Sequence, residues 1–116
     1  MSNPDNAIKL LFVCSRNKWR SLTAEKIFAD LPGYSVRSGG TEPAARVKVT
    51  ERHVRWADMI FAMEKKHVSR LRDQFGEALA DKPLICLHIP DDFQFMDPDL
   101  VELLKARVGE HIDLPE

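Results

Sequence analysis

Cys14 and Arg20 stand six positions apart, and Ser21 follows at once, in the stretch Cys14-Ser15-Arg16-Asn17-Lys18-Trp19-Arg20-Ser21. Together these residue types could do one kind of chemistry. A thiolate attacks phosphorus, a guanidinium grips two phosphoryl oxygens, and the unpaired N–H groups of a helix start neutralise the remaining charge. The spacing alone is weak, because an arginine-containing chain meets it by chance. Context strengthens it. Ile8 to Val13 is an almost continuous apolar run, as a strand buried on both faces requires. After the loop, Leu22, Ala24, Ile27, Phe28 and Leu31 recur at helical spacing until Pro32-Gly33 stops the pattern.

The elements that must position these residues alternate along the chain. Strands are expected at Ile8 to Cys14, Tyr34 to Arg37, Asp58 to Met63 and Leu84 to Ile89. Helices are expected at about Ser21 to Asp30, Val49 to Ala57, Glu64 to Phe75 with Gly76 as the stop, and Pro98 to His111 with Asp97 as N-cap. This pattern predicts an α/β three-layer sandwich: a four-stranded parallel sheet, in the doubly wound order 2-1-3-4, with helices on both faces. Ligands of such sheets bind beyond the carboxyl ends of the strands. Cys14, Ser38-Gly39-Gly40-Thr41 and Pro90-Asp91-Asp92-Phe93 are therefore expected on one rim.

Length and composition bound the function. The 116 residues form one expected domain, 1–116, large enough for its own core. Seventeen Lys and Arg against eighteen Asp and Glu leave a formal net charge of −1, which gives no bulk attraction to nucleic acid or to an anionic membrane. Residues 1–7 are polar and read as a flexible N-terminal segment, with neither the basic start nor the apolar stretch of a signal peptide. Two cysteines, one of them in a reactive setting, point to a reducing cytoplasm. Cys86 reads as a buried strand residue. Trp56 and Met59 read as core. His53, His67, His88 and His111 show no metal-ligand spacing and read as surface histidines, and no metal or other cofactor is expected. Glu64, Lys65, Lys66, Arg70, Arg72 and Asp73 read as the wet face of the third helix.

The chain resembles the low-molecular-weight protein tyrosine phosphatases, and within that superfamily a short bacterial branch of phosphatase-like proteins. The resemblance covers nearly the whole chain. The family's phosphate loop, C-x-G-N-x-C-R-S-P, is matched at Cys14, Asn17, Arg20 and Ser21. Ser38-Gly39-Gly40-Thr41 is similar to the end of the family's second strand, and Ala57 to Glu64 to its third strand and exit. Ile89-Pro90-Asp91-Asp92-Phe93 resembles its I-P-D-P-Y loop.

The resemblance implies a nucleophile at Cys14, a phosphate-gripping Arg20 and a general acid at Asp91. Ser15, Arg16, Asn17, Lys18, Trp19, Ser21 and Phe93 would bind substrate, largely through loop amides, while Ser38 and Asp92 would support the site. Phosphotyrosine in proteins or a small aryl phosphate would be the substrate, with inorganic phosphate or sulfate able to occupy the loop. Arg16 replaces a loop glycine and would be strained if that position needs positive φ. Trp19 replaces the second loop cysteine, so no neighbouring thiol can protect the nucleophile. Asp92 replaces the proline after the acid and is a rival for its role, whereas Asp97-Pro98 is explained by helix capping. Two other functions use the same residues: an anion-binding module without turnover, and an arsenate reductase, which Cys86 alone serves poorly as a resolving thiol.

Overall fold

The computed structural model describes residues 7–114. The expected flexible segment 1–7 therefore lies, except for Ala7, outside the described residues. The elements in chain order are β1 (Ile8–Cys14), α1 (Arg20–Phe28), β2 (Tyr34–Gly40), α2 (Glu51–Trp56), β3 (Met59–Ala62), α3 (Lys65–Leu79), β4 (Leu84–Cys86) and α4 (Pro98–Val108). All strand pairs are parallel, and the sheet order is β2-β1-β3-β4. The expected fold class and strand order are those observed.

Burial on both faces explains the apolar run of β1. Leu10, Phe12 and Cys14 join the core cluster that holds Phe28 of α1 and Leu100, Leu104 and Val108 of α4. Leu11 and Val13 point the other way, into the cluster that holds Val54 of α2 and Leu71 of α3. Phe12 stacks between Phe28 and Phe61, at centroid distances of 5.7 and 5.2 Å. Each such ring contributes roughly 1.5–3 kcal/mol by leaving water.

Register brings the strand ends to one rim, since Cys14 pairs with Gly40, Val13 with Ala62, and Ala62 with Cys86. Several boundaries differ from expectation, among them those of β2, β4 and α3. β2 runs on to Gly40 because the ladder to β1 continues to Cys14. β4 stops at Cys86 because His88 turns left-handed (φ 54), although Leu87 and Ile89 still donate to the backbone of Ala62 and Met63. Helix α3 does not end before Gly76. Phe75 leaves helical geometry (φ −131, ψ 28), but another turn follows and buries Ala78 and Leu79. Cys86, Trp56 and Met59 are half-buried rather than fully inside, since each sits where an element meets solvent. Arg37 covers the Trp56 ring at 4.5 Å.

Gly40 is where the end of β2 meets the loop after Cys14. A Cβ there would lie 2.6 Å from the Ser15 carbonyl oxygen and 2.6 Å from Ala45 Cβ. Backbone cannot yield as a flexible side chain can, so Gly40→Ala is expected to cost about 1–3 kcal/mol. A urea midpoint equal to that of the wild type would show that the contact is not tight.

Candidate active site

Between Cys14 and the first residue of α1, Arg20, five residues form a loop whose carbonyls turn outward. Those of Cys14, Ser15 and Arg16 accept hydrogen bonds from the N–H groups of Thr41 (3.0 Å), Glu42 (3.0 Å) and Arg46 (2.9 Å). Among the described residues, none of the backbone N–H groups of Ser15 to Arg20 donates to a protein acceptor. Helix α1 also has no side-chain cap and no acidic residue in its first turn. Six unused amides and an open helix start make a setting for an anion.

Asn17 fixes the loop from within. It is fully buried and left-handed (φ 57), a conformation that asparagine tolerates better than most residues. Its Nδ2 donates to Ser21 Oγ (2.8 Å) and Ser38 Oγ (2.9 Å), and Ser38 donates to Glu25 Oε1 (2.7 Å). The Glu25 carboxylate can only accept, so Ser38 must receive its other bond from Asn17, which sets the amide's orientation. Ser21 Oγ then lies 2.9 Å from Cys14 Sγ and 3.5 Å from the Gly39 carbonyl, within reach of both. Arg16 does not have positive φ, and the strain conditionally expected there is absent.

Arg20 is buried, with 2% of its surface exposed. Its guanidinium donates to the Ile89 carbonyl (2.8 Å), pairs with Glu64 Oε2 (3.1 Å) and stands 3.6 Å from Asp91 Oδ1. Cys14, Ser15, Arg20 and Asp91 line one cavity of about 270 Å³, with Arg16, Lys18, Trp19, Glu42 and Lys66 around them. Trp19, 40% exposed, stands at this wall. Of the two rival carboxylates only Asp91 lines the cavity, while Asp92 is exposed outside it. Phe93 does not line it either. It packs against the apolar cluster between the sheet and α4, because that is where its ring leaves water.

Two site residues escaped the sequence reading. His67, expected at the surface, is fully buried, and Glu64, expected on a wet face, ends at Arg20. The backbone N–H of Glu64 donates to His67 Nδ1 (3.1 Å), so the ring proton resides on Nε2 and points to Ser15 Oγ at 2.9 Å. Ser15 accepts that bond and keeps its own proton free to donate. Burial, then the charge of Arg20, hold the His67 pKa down at about 4, against a smaller upward pull from Glu64. Partial burial pushes the Glu64 carboxyl up, but the hydrogen bond and charge of Arg20, aided by Lys66 and His67, outweigh it and leave the pKa lowered. A sequence signal did exist. Thr50-x-x-His53 and Glu64-x-x-His67 both place a histidine where it can accept from the N-cap N–H, in the position glutamate takes in a capping box.

Among the described residues no group of three His, Cys, Asp or Glu side chains could hold a metal ion, and no helix is long and apolar enough to cross a membrane.

No family model matches the chain, and no curated protein matches it. Solved structures do. The tyrosine phosphatase Wzb from Escherichia coli K30, in complex with phosphate, superposes with a TM-score of 0.71 at 21% identity, over 88% of this chain and 94% of that one. The low molecular weight protein tyrosine phosphatase SP-PTP from Streptococcus pyogenes gives 0.71 at 15% identity, over 91% and 94%. The YwlE arginine phosphatase from Geobacillus stearothermophilus gives 0.61 at 25% identity, over 89% and 84%. The chain shares the fold of these solved structures.

His67 makes stability depend on pH. Its folded pKa lies below the unfolded value of 6.5, so the fold favours the neutral ring. Above pH 6.5 both states are neutral and nothing is lost. As pH falls from there to about 4, the unfolded chain takes up a proton that the fold resists, which removes roughly 2–3 kcal/mol. Urea unfolding between pH 7 and 4 is expected to show a shallower decline for His67→Gln than for the wild type. Equal declines would mean that the buried ring is not held neutral.

Proposed function

We propose that this protein is a cysteine-dependent phosphomonoesterase that hydrolyses phosphotyrosine in proteins, or small aryl phosphates, through a thiophosphate intermediate. The observation that carries the reading is the convergence of the Cys14 sulfur, the buried Arg20 guanidinium and the Asp91 carboxyl on one small cavity beside six unused loop amides. Preorganised donors of this kind stabilise charge without reorganising during the reaction. Trp19 at the cavity wall supports an aryl leaving group over an alkyl one. Two unpaired thiols fit a reducing compartment such as the cytoplasm.

In the first step the Cys14 thiolate, facing the Ser21 hydroxyl, attacks phosphorus. The S–P bond forms, the bond to the leaving oxygen breaks, and protonated Asp91 gives that oxygen its proton. Arg20 and the amides of Ser15 to Arg20 hold the equatorial oxygens. Asp91, now ionised, takes a proton from water as the water attacks phosphorus. The S–P bond breaks and its electron pair returns to sulfur. Asn17, Ser38 and Glu25 act by keeping the loop in shape.

Wild-type protein is expected to turn over p-nitrophenyl phosphate. Cys14→Ser abolishes turnover, Asp91→Asn slows it about 10²-fold and Asp92→Asn leaves it nearly unchanged. Loss in Asp92→Asn with activity kept in Asp91→Asn would move the acid to Asp92. Tight vanadate binding with no turnover by the wild type would make the protein an anion-binding module. Thiol-coupled reduction of arsenate would make it a reductase.

A further inference from the structure

Next to the phosphate cavity lies a second one, of about 470 Å³, lined by Arg16, Lys18, Glu42, Ala44 and Arg46. Arg16, Lys18 and Glu42 line both, so the two cavities share a wall. No step of the proposed reaction uses the second. Three cations and one carboxylate leave it with two positive charges in excess, in a chain whose formal net charge is −1.

These cations are differently engaged. Glu42 answers Arg16 at 3.2 Å. Arg46 gives its backbone N–H to the Arg16 carbonyl (2.9 Å) and its Nε to the Asn17 carbonyl (3.3 Å), but among the described residues it pairs with no carboxylate. Lys18 likewise pairs with none, and its Nζ stands 6.0 Å from the Trp19 ring centroid. The bonds to the loop carbonyls hold Arg46 at a fixed place beside the phosphate loop. Two like charges left uncompensated in one recess are relieved by an anion placed between them.

We infer that this recess is a specificity subsite for a carboxylate side chain, Asp or Glu, lying within one or two residues of the phosphorylated residue of a polypeptide substrate. The inference rests on the phosphatase reading and adds the substrate class. The shared wall sets the reach. An extended peptide advances about 3.3 Å per residue, so a neighbouring side chain enters the recess while the phosphoryl group occupies the loop. A small aryl phosphate reaches only the first cavity. Because Arg16, Lys18 and Arg46 are exposed, the subsite contributes selectivity and encounter rate rather than tight anchoring.

The test uses phosphotyrosyl peptides identical except for Glu, Gln or a second phosphotyrosine beside the reacting residue. These are assayed with wild type and with Ala44→Glu, a change at an exposed position that places a competing carboxylate in the recess. Wild type is expected to favour the Glu peptide over the Gln peptide in kcat/KM by about three- to tenfold at low salt, and less at high salt. Ala44→Glu is expected to erase that preference while turning over p-nitrophenyl phosphate as the wild type does. Equal kcat/KM for Glu and Gln peptides, a gain confined to the doubly phosphorylated peptide, or a preference untouched by Ala44→Glu would overturn the subsite. Failure of the phosphatase reading looks different, because p-nitrophenyl phosphate is then not hydrolysed. In that case fluorescence anisotropy of the same peptides on wild type reads the preference as binding.

Discussion

The buried guanidinium of Arg20 is the constraint around which the functional end of this fold is arranged. A cation with 2% of its surface exposed is costly to hold unless it is paired and hydrogen-bonded. The cation and its partners come from three different strand exits. α1, which follows β1, carries the arginine, Glu64 follows β3, and Ile89 and Asp91 follow β4. Parallel strands with matched registers deliver those exits to one rim, so the topology and the ion pairing require each other. Removing a partner would leave a buried charge unanswered, at a cost of several kcal/mol.

Around that cation the loop from Ser15 to Trp19 is held by polar groups rather than by apolar packing. Glu25, Ser38, Asn17, Ser21 and Cys14 form one chain of contacts, each fixing the direction of the next. From the other side, neutral His67 joins the start of α3 to Ser15. The segment 41–46 occupies the outward carbonyls. A loop satisfied from outside leaves its amides for a ligand, and this is how a stable fold carries a site that is electrostatically incomplete on its own.

Much of this was legible in the chain. Strand β1 announces itself by being apolar at every position that the two core clusters use, and α4 by Asp97-Pro98 and its apolar stripe. The Cys14-to-Arg20 loop was readable because its chemistry needs particular residue types at a fixed spacing between a strand and a helix. The polar residues that escaped share one property: their burial is decided by neighbours distant in sequence. His67 is inside because Ser15, 52 positions away, needs its proton, and Glu64 faces inward because Arg20 does. Phe93 stands where the resemblance implies a pocket residue, yet apolar burial against the core outweighs it. Gly76 resembles a helix stop, but the burial of Ala78 and Leu79 carries α3 past it.

If a sulfur aimed into a phosphate-holding cavity is what this structure exists to present, phosphorus must pass through that sulfur. Rapid acid quenching during turnover of an aryl phosphate, followed by mass spectrometry of the peptide that contains Cys14, reads this directly. One phosphoryl group bonded to Cys14 is expected, accumulating when Asp91 is changed to Asn so that water attack is slowed. Sustained hydrolysis with Cys14 unmodified at every quench time, and undiminished in Cys14→Ser, would contradict it.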